Sequence, residues 1–262
     1  MAGKDEGIKP IVGVEIGFAL DANNVANLKS VGSITLLAMS TEWYHNLLQL
    51  VTYASQTGIE FRPKVDMKSL TEYKNWILAF CWGVESRISK MLLNWEPLSK
   101  IQEIIGMLKT TLWTENFYLE IIAQDEKTHP NIAKINKTLL ELSETTQTPC
   151  IISNIYAYPL PKDKTNQELA MAIKDNLKLF DPNHRVPTTE NHLMTEEEIR
   201  SIALKNGYSP QQVDEWIQNT ALIADRSDFK IEMGTSLFPK YDGEEDLEII
   251  YQNWKDRMIL EE

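Results

Sequence analysis

The side chains of this sequence that could do chemistry are few and scattered. Glu15 is a single carboxylate inside an apolar run, Ile11-Val12-Gly13-Val14-Glu15-Ile16. Cys81 and Cys150 are the two cysteines, with no CxxC spacing, which argues for a reducing compartment and against a disulfide framework or a zinc ribbon. His45, His129, His184 and His192 fall in no ligand spacing. Arg62 and Lys64 form a short basic pair that could touch a partner or nucleic acid, although most such pairs are solvated. No nucleotide-binding glycine loop is present. The stretch with the most to say is Pro149 to Tyr158, an apolar run (Cys150, Ile151, Ile152) that leads into a polar tip. Chemistry in α/β sheets gathers where strands end, so Ser153 to Tyr158 is where a catalytic group would sit. The tip offers Asn154, Ile155, Tyr156, Ala157 and Tyr158, with neither carboxylate nor imidazole.

The elements that must position this tip follow from periodicity. Strands are expected at about residues 11–18, 33–39, 76–81 and 117–123, with the focal strand after Pro149. Residues 62–66 read as a loop. Trp43, Leu47, Leu50, Val51 and Ala54 make one stripe of a helix over 41–55. Helices over 85–94 and 97–110 follow, the second with Ile101, Ile104, Ile105 and Leu108 at helical spacing. Ile132, Ile135, Leu139 and Leu142 mark another. Strands alternating with helices predict α/β architecture with mostly parallel pairing. After Pro159 the pattern turns helical, over 166–179, from the capping box at Thr195 to Gly207, and from Ser209-Pro210 onward. The last of these buries Val213, Trp216, Ile217 and Ile223. A final helix is expected over 245–258. Trp82 and Trp113 could mark an interface, with buried packing as the simpler reading.

Composition bounds the function. The chain has 262 residues, 43% of them hydrophobic, and a net charge of −12 that disfavours direct contact with phosphate backbones. No signal peptide opens it and no apolar run approaches the length of a membrane span, so the expected home is the cytoplasm.

Several segments in order then resemble a known family. They are Gly7 to Glu15, Ile34 to Ala38 with Tyr44-His45-Asn46-Leu47, Arg62 to Asp66, Cys81-Trp82-Gly83-Val84-Glu85, Phe117-Tyr118-Leu119-Glu120, Ser153-Asn154 and Asn219 to Ala224. Each is weak alone. As an ordered set they resemble the PHP (polymerase and histidinol phosphatase) domain of bacterial DNA polymerase III alpha subunits. The resemblance implies a distorted βα barrel whose competent members hold a metal cluster at the strand ends. That cluster can activate water against a phosphodiester, as in a 3′–5′ proofreading nuclease.

This sequence departs from the competent pattern. The family's opening strand, with its paired histidines, is expected to lie before Gly7. Ser33 stands where the resemblance implies a histidine, and Ile155 and Ala157 stand where it implies an aspartate and a histidine. Glu15 and Cys81 are the remaining candidate metal donors; salt bridging by Glu15 and apolar burial of Cys81 are their plainer readings. No catalytic residue and no cofactor is expected, since a two-metal hydrolytic site needs several anionic or imidazole ligands in one pocket. The expected organisation is an incomplete PHP-like barrel portion over residues 1–160, its helical remainder over 161–240, and the start of a connection to a polymerase domain over 241–262. The expected role is structural and partner-binding, toward other polymerase or replisome chains, with no nucleic acid or membrane bound by this chain alone. The rival expectations are a metal-dependent phosphoesterase or nuclease completed by a partner chain, and an orphan protein-binding module.

Overall fold

A computed structural model describes residues 5–22, 31–57, 63–73, 77–81, 83–186, 190–230 and 251. The chain divides into two units, Met1–Lys230 and Ile231–Glu262, and all described residues except Tyr251 lie in the first. The expected final helix, together with Arg62, Trp76 and Trp82, falls outside the described residues, Tyr251 excepted.

The described residues of the first unit form an open six-stranded sheet of order β3-β1-β2-β4-β5-β6. Its strands are β1 (Gly13–Phe18), β2 (Gly32–Ala38), β3 (Lys64–Val65), β4 (Ile77–Cys81), β5 (Phe117–Ile122) and β6 (Cys150–Ser153). β4, β5 and β6 run parallel, joined by helical crossovers as parallel strands require. β2 alone runs against the rest, antiparallel to both its neighbours, β1 and β4, so the described sheet is mixed but its pairing is mostly parallel, as expected. β3 was not expected. Lys64 and Val65 pair with Gly17 and Phe18 of β1, and Lys64 is buried, not solvated.

The described helices are α1 (Thr41–Thr57), α2 (Met67–Glu72), α3 (Arg87–Leu93), α4 (Leu98–Leu112), α5 (Pro130–Thr146), α6 (Lys164–Lys174), α7 (Glu196–Lys205) and α8 (Pro210–Arg226). The stripes of α1, α4 and α5 face one side of the sheet. There Leu47 and Leu50, Ile104 and Leu108, and Ile135 and Leu139 join Leu36, Ala79, Leu119 and Ile152 in one core. Asp66 starts α2. Its Oδ1 accepts from Ser69 N at 2.9 Å, and its Oδ2 accepts from Ala22 N at 3.2 Å, which ties the exit of β1 to the helix. α6 is shorter than its pattern implied. Asn176, at φ 55°, turns the chain out of the helix after Lys174. Thr195 and Ser209 cap α7 and α8 through reciprocal bonds with Glu198 and Gln212, and Gly207, at φ 97°, lies just beyond α7. Trp113, expected in the core, is 36% exposed. Among the described residues no helix is long and apolar enough to cross a membrane.

The second face of the sheet carries a smaller apolar cluster, Leu78, Tyr118 and Ile151 with Ile223 of α8. α8 runs beside β6 and contributes to both faces, Val213 and Trp216 to the main core and Ile223 to the smaller one.

Candidate site at the strand tips

The focal strand is an edge strand, which the sequence did not reveal. An edge leaves backbone groups without a ladder partner. α8 supplies them. Asn219 Nδ2 donates to Cys150 O at 2.8 Å, Thr220 Oγ1 donates to Ile152 O at 3.2 Å, and Ile152 N donates to Thr220 Oγ1 at 3.3 Å. The run Asn219 to Ala224 therefore has a structural job at the strand it flanks.

Beyond β6 the tip is tied down by residues 191–193. Asn154 Nδ2 donates to His192 O at 2.8 Å, Ala157 N to Asn191 O at 2.7 Å, and Leu193 N to Tyr158 O at 3.0 Å. Asn191 N in turn donates to the Tyr158 hydroxyl at 3.0 Å. Asn154 is buried, so its amide serves the backbone rather than a ligand. Ile155 and Ala157 hold the positions where the resemblance implies metal donors, and neither has a lone pair to offer.

The carboxyl group that does sit among the strand ends is Glu120, on β5. It is 1% exposed. Gly83 N, just past β4, donates to its Oε2 at 2.8 Å, and the Ser153 hydroxyl at the end of β6 donates to its Oε1. One side chain thus joins the ends of three parallel strands. Burial pushes its pKa up to about 8 against these two bonds, and the nearby Glu15 charge pushes in the same direction. Glu120 is therefore largely a neutral acid at pH 7. It lines a cavity of about 410 Å3 whose walls are chiefly apolar, among them Leu37, Phe80, Ile151, Tyr156 and Ile223, with Ser153 and Thr220 as polar points. A second cavity, of about 370 Å3, lies on the other side of the tip and is lined by Gln124, His129, Asn131, Ile155 and Asn191.

Register separates the two candidate donors. Glu15 pairs with Thr35 of β2, and Thr35 pairs with Phe80 of β4, so these three share a face. Cys81 follows Phe80 and points the opposite way, into the main core. It is 4% exposed, and burial together with the Glu120 charge pushes its thiol up to about 12. Glu15 is exposed, on the face shared with Glu120. Cys150 is also buried in the core, with its pKa pushed up to about 11 by burial.

The histidines stay apart. His45 is exposed on α1, His129 stands just before α5 with its Nδ1 3.0 Å from Asp125 O, and His184 bonds Glu168 at 2.7 Å. His192 is buried and bonds Glu198 at 3.1 Å, although its sequence suggested only a polar loop. Among the described residues no three His, Cys, Asp or Glu side chains come together. Of the donors in the described residues, Glu120 has both oxygens bonded within the protein and Cys81 faces the main core. Sequence reasoning passed over Glu120, although an acid inside the apolar run Phe117-Tyr118-Leu119-Glu120-Ile121-Ile122 was a visible signal.

Residues 1–124 match the PHP domain. Over 238 residues, 90% of the chain, the sequence is 25% identical to the DNA polymerase III subunit alpha of Haemophilus influenzae, of which it covers 19%. It is 25% identical over 244 residues to the DNA polymerase III subunit alpha of Borreliella burgdorferi and 24% identical over 245 residues to that of Escherichia coli, covering 20% of each. The chain thus spans about a fifth of the length of the curated relatives it matches. The mixed α/β sheet with its helical crossovers thus accompanies a match to the PHP domain over residues 1–124 and a similarity to DNA polymerase III alpha subunits along nine-tenths of the chain.

Proposed function

We propose that the chain is a structural, partner-binding PHP portion of a DNA-replicating polymerase of the polymerase III alpha type, without a catalytic site of its own. It works in the cytoplasm, bracing a polymerase portion and offering a surface to other replication chains. The observation that carries this reading is Glu120. A hydrolytic metal centre needs charged donors free to bind cations. Here the carboxyl among the strand ends is buried and is engaged at both oxygens by Gly83 N and the Ser153 hydroxyl. It holds strands together. The similarity to polymerase III alpha subunits along 90% of the chain supports the replicative context.

Two measurements test it. Purified protein, supplied with manganese or zinc, is expected to leave a labelled oligonucleotide intact, and affinity purification from native cells is expected to bring a polymerase polypeptide with it. Shortening of the oligonucleotide that stops in Glu15→Ala would overturn the non-catalytic part. Purification without any polymerase would overturn the partner-binding part.

A further inference from the structure

β4, β5 and β6 run parallel, and their carboxyl ends meet at one cavity. Val84 just past β4, Gln124 just past β5 and Ile155 just past β6 all line the cavity of about 370 Å3. Open α/β sheets bind their ligands in this position. The volume is at the small end for ligand sites and suits a small molecule rather than a length of chain. Val84, Pro130, Ile132 and Ile155 supply apolar walls, and no Asp, Glu, Lys or Arg is among the described residues that line it. A charged ligand would find no counter-ion there, so the lining favours an uncharged one.

Two amides set the polar chemistry. Gln124 is 3% exposed. Its Nε2 donates to Ile155 O and to Asn191 Oδ1, each at 3.3 Å. A backbone carbonyl can only accept, so Gln124 turns its nitrogen toward Ile155, and Asn191 turns its oxygen toward Gln124. Left over are Gln124 Oε1, an acceptor, and Asn191 Nδ2, a donor. Neither bonds another described residue, neither is sealed inside the protein, and both side chains line the cavity. The Asn191 backbone is pinned by the Tyr158 hydroxyl and by Ala157 N, so the pair is positioned before any ligand arrives. We propose that this cavity binds a small, uncharged, planar molecule with a lactam edge, an N–H beside a C=O on one ring. The ligand N–H donates to Gln124 Oε1, the ligand C=O accepts from Asn191 Nδ2, and the ring packs on the apolar walls. This goes beyond the function proposed above, which uses no ligand.

The test uses the purified chain and two probes of nearly equal size, 2-pyridone and its N-methyl derivative, which lacks the donor. Two-dimensional NMR follows the side-chain NH2 signals of Gln124 and Asn191. 2-Pyridone is expected to shift both, with a Kd of about 10 mM or tighter, ordinary for a fragment of this size. N-methyl-2-pyridone is expected to bind at least tenfold more weakly, because it leaves Gln124 Oε1 unpaired. Asn191→Asp keeps the oxygen that Gln124 uses and replaces the free donor with an acceptor, so it is expected to weaken 2-pyridone at least tenfold as well. No shift with 2-pyridone, equal affinity for the two probes, or unchanged binding in a folded Asn191→Asp chain overturns the proposal. The comparison of probes is made on the unaltered chain, so misfolding of the variant cannot hide the answer. A negative result leaves the structural, partner-binding reading standing, since oligonucleotide cleavage and co-purification test that separately.

Discussion

Glu120 is under two opposed demands. Burial favours the neutral carboxyl, whereas the bonds from Gly83 N and Ser153 Oγ favour the carboxylate, and burial wins, leaving the pKa at about 8 against an ordinary 4.5. The consequence for stability has a definite sign. Between pH 4.5 and 8 the folded protein holds a proton that the unfolded chain has released. Stability therefore falls as pH rises through that window, and the contribution is complete only below the unfolded value. The loss should be on the order of a few kcal/mol. Glu120→Gln keeps the shape and an acceptor for Gly83, offers its amide N–H to the Ser153 oxygen where the carboxyl accepts from that hydroxyl, and cannot ionise. Urea unfolding at pH 5 and pH 8.5 should show a smaller drop in the variant than in the parent. Equal drops would mean that Glu120 is charged across the whole range. This residue also shows where reading the sequence stopped short. Glu15 and Cys81 stood out because the family resemblance marks their positions, yet the fold puts them on opposite faces of the sheet. Glu120 lay in view as an acid within an apolar strand. Its importance comes from Gly83, 37 residues upstream, and Ser153, 33 residues downstream, and no local pattern encodes those distances.

Elements were more legible than their pairings. The stripes of α1, α4, α5 and α8 are readable because helical period and burial report the same thing, and Ile104, Leu108, Ile135, Leu139 and Trp216 are all buried. The direction of β2, the short β3 and the edge position of β6 depend on long-range pairing, which periodicity does not carry. The capping of β6 by α8 is one such case and can be measured. Thr220→Val preserves shape but leaves Ile152 N and O without their side-chain partner, and should cost about 1–2 kcal/mol in chemical unfolding. Leu222→Ala, at a 47% exposed site on the same helix, should change stability by less than about 0.5 kcal/mol. Similar losses for both would remove the special role of Thr220. Two glycines give a sharper contrast. A Cβ on Gly32 would stand 2.1 Å from Arg87 Cα, and backbone on both sides cannot yield, so Gly32→Ala should separate β2 from the start of α3 and cost several kcal/mol, on the order of 3 or more. A Cβ on Gly106, inside α4, meets nothing within 4 Å. Gly106→Ala should therefore stabilise by about 0.5–1 kcal/mol through helix propensity, raising the melting temperature.

At the scale of the whole molecule, charge decides what the protein can approach unaided. Twenty-six basic side chains face thirty-eight acidic ones. Several cations are already spent on neighbours: Lys9 on the last carbonyls of α8, Lys205 on Asp125, Arg200 on Asp214 and Arg226 on Asn116. Non-specific affinity for nucleic acid is built from phosphate contacts by free Lys and Arg, and it falls steeply with salt. A surface of net −12 starts by repelling the ligand. The isolated chain should therefore bind a labelled single-stranded oligonucleotide no more tightly than about 10⁻⁴ M at physiological salt, the weak end of non-specific binding. Fluorescence anisotropy across a salt series checks this. Micromolar affinity with a steep inverse salt dependence would reveal a basic track that overall charge conceals, and it would also give the chain its own route to DNA. Weak binding throughout would leave any DNA contact to a partner, as the bracing role proposed above requires.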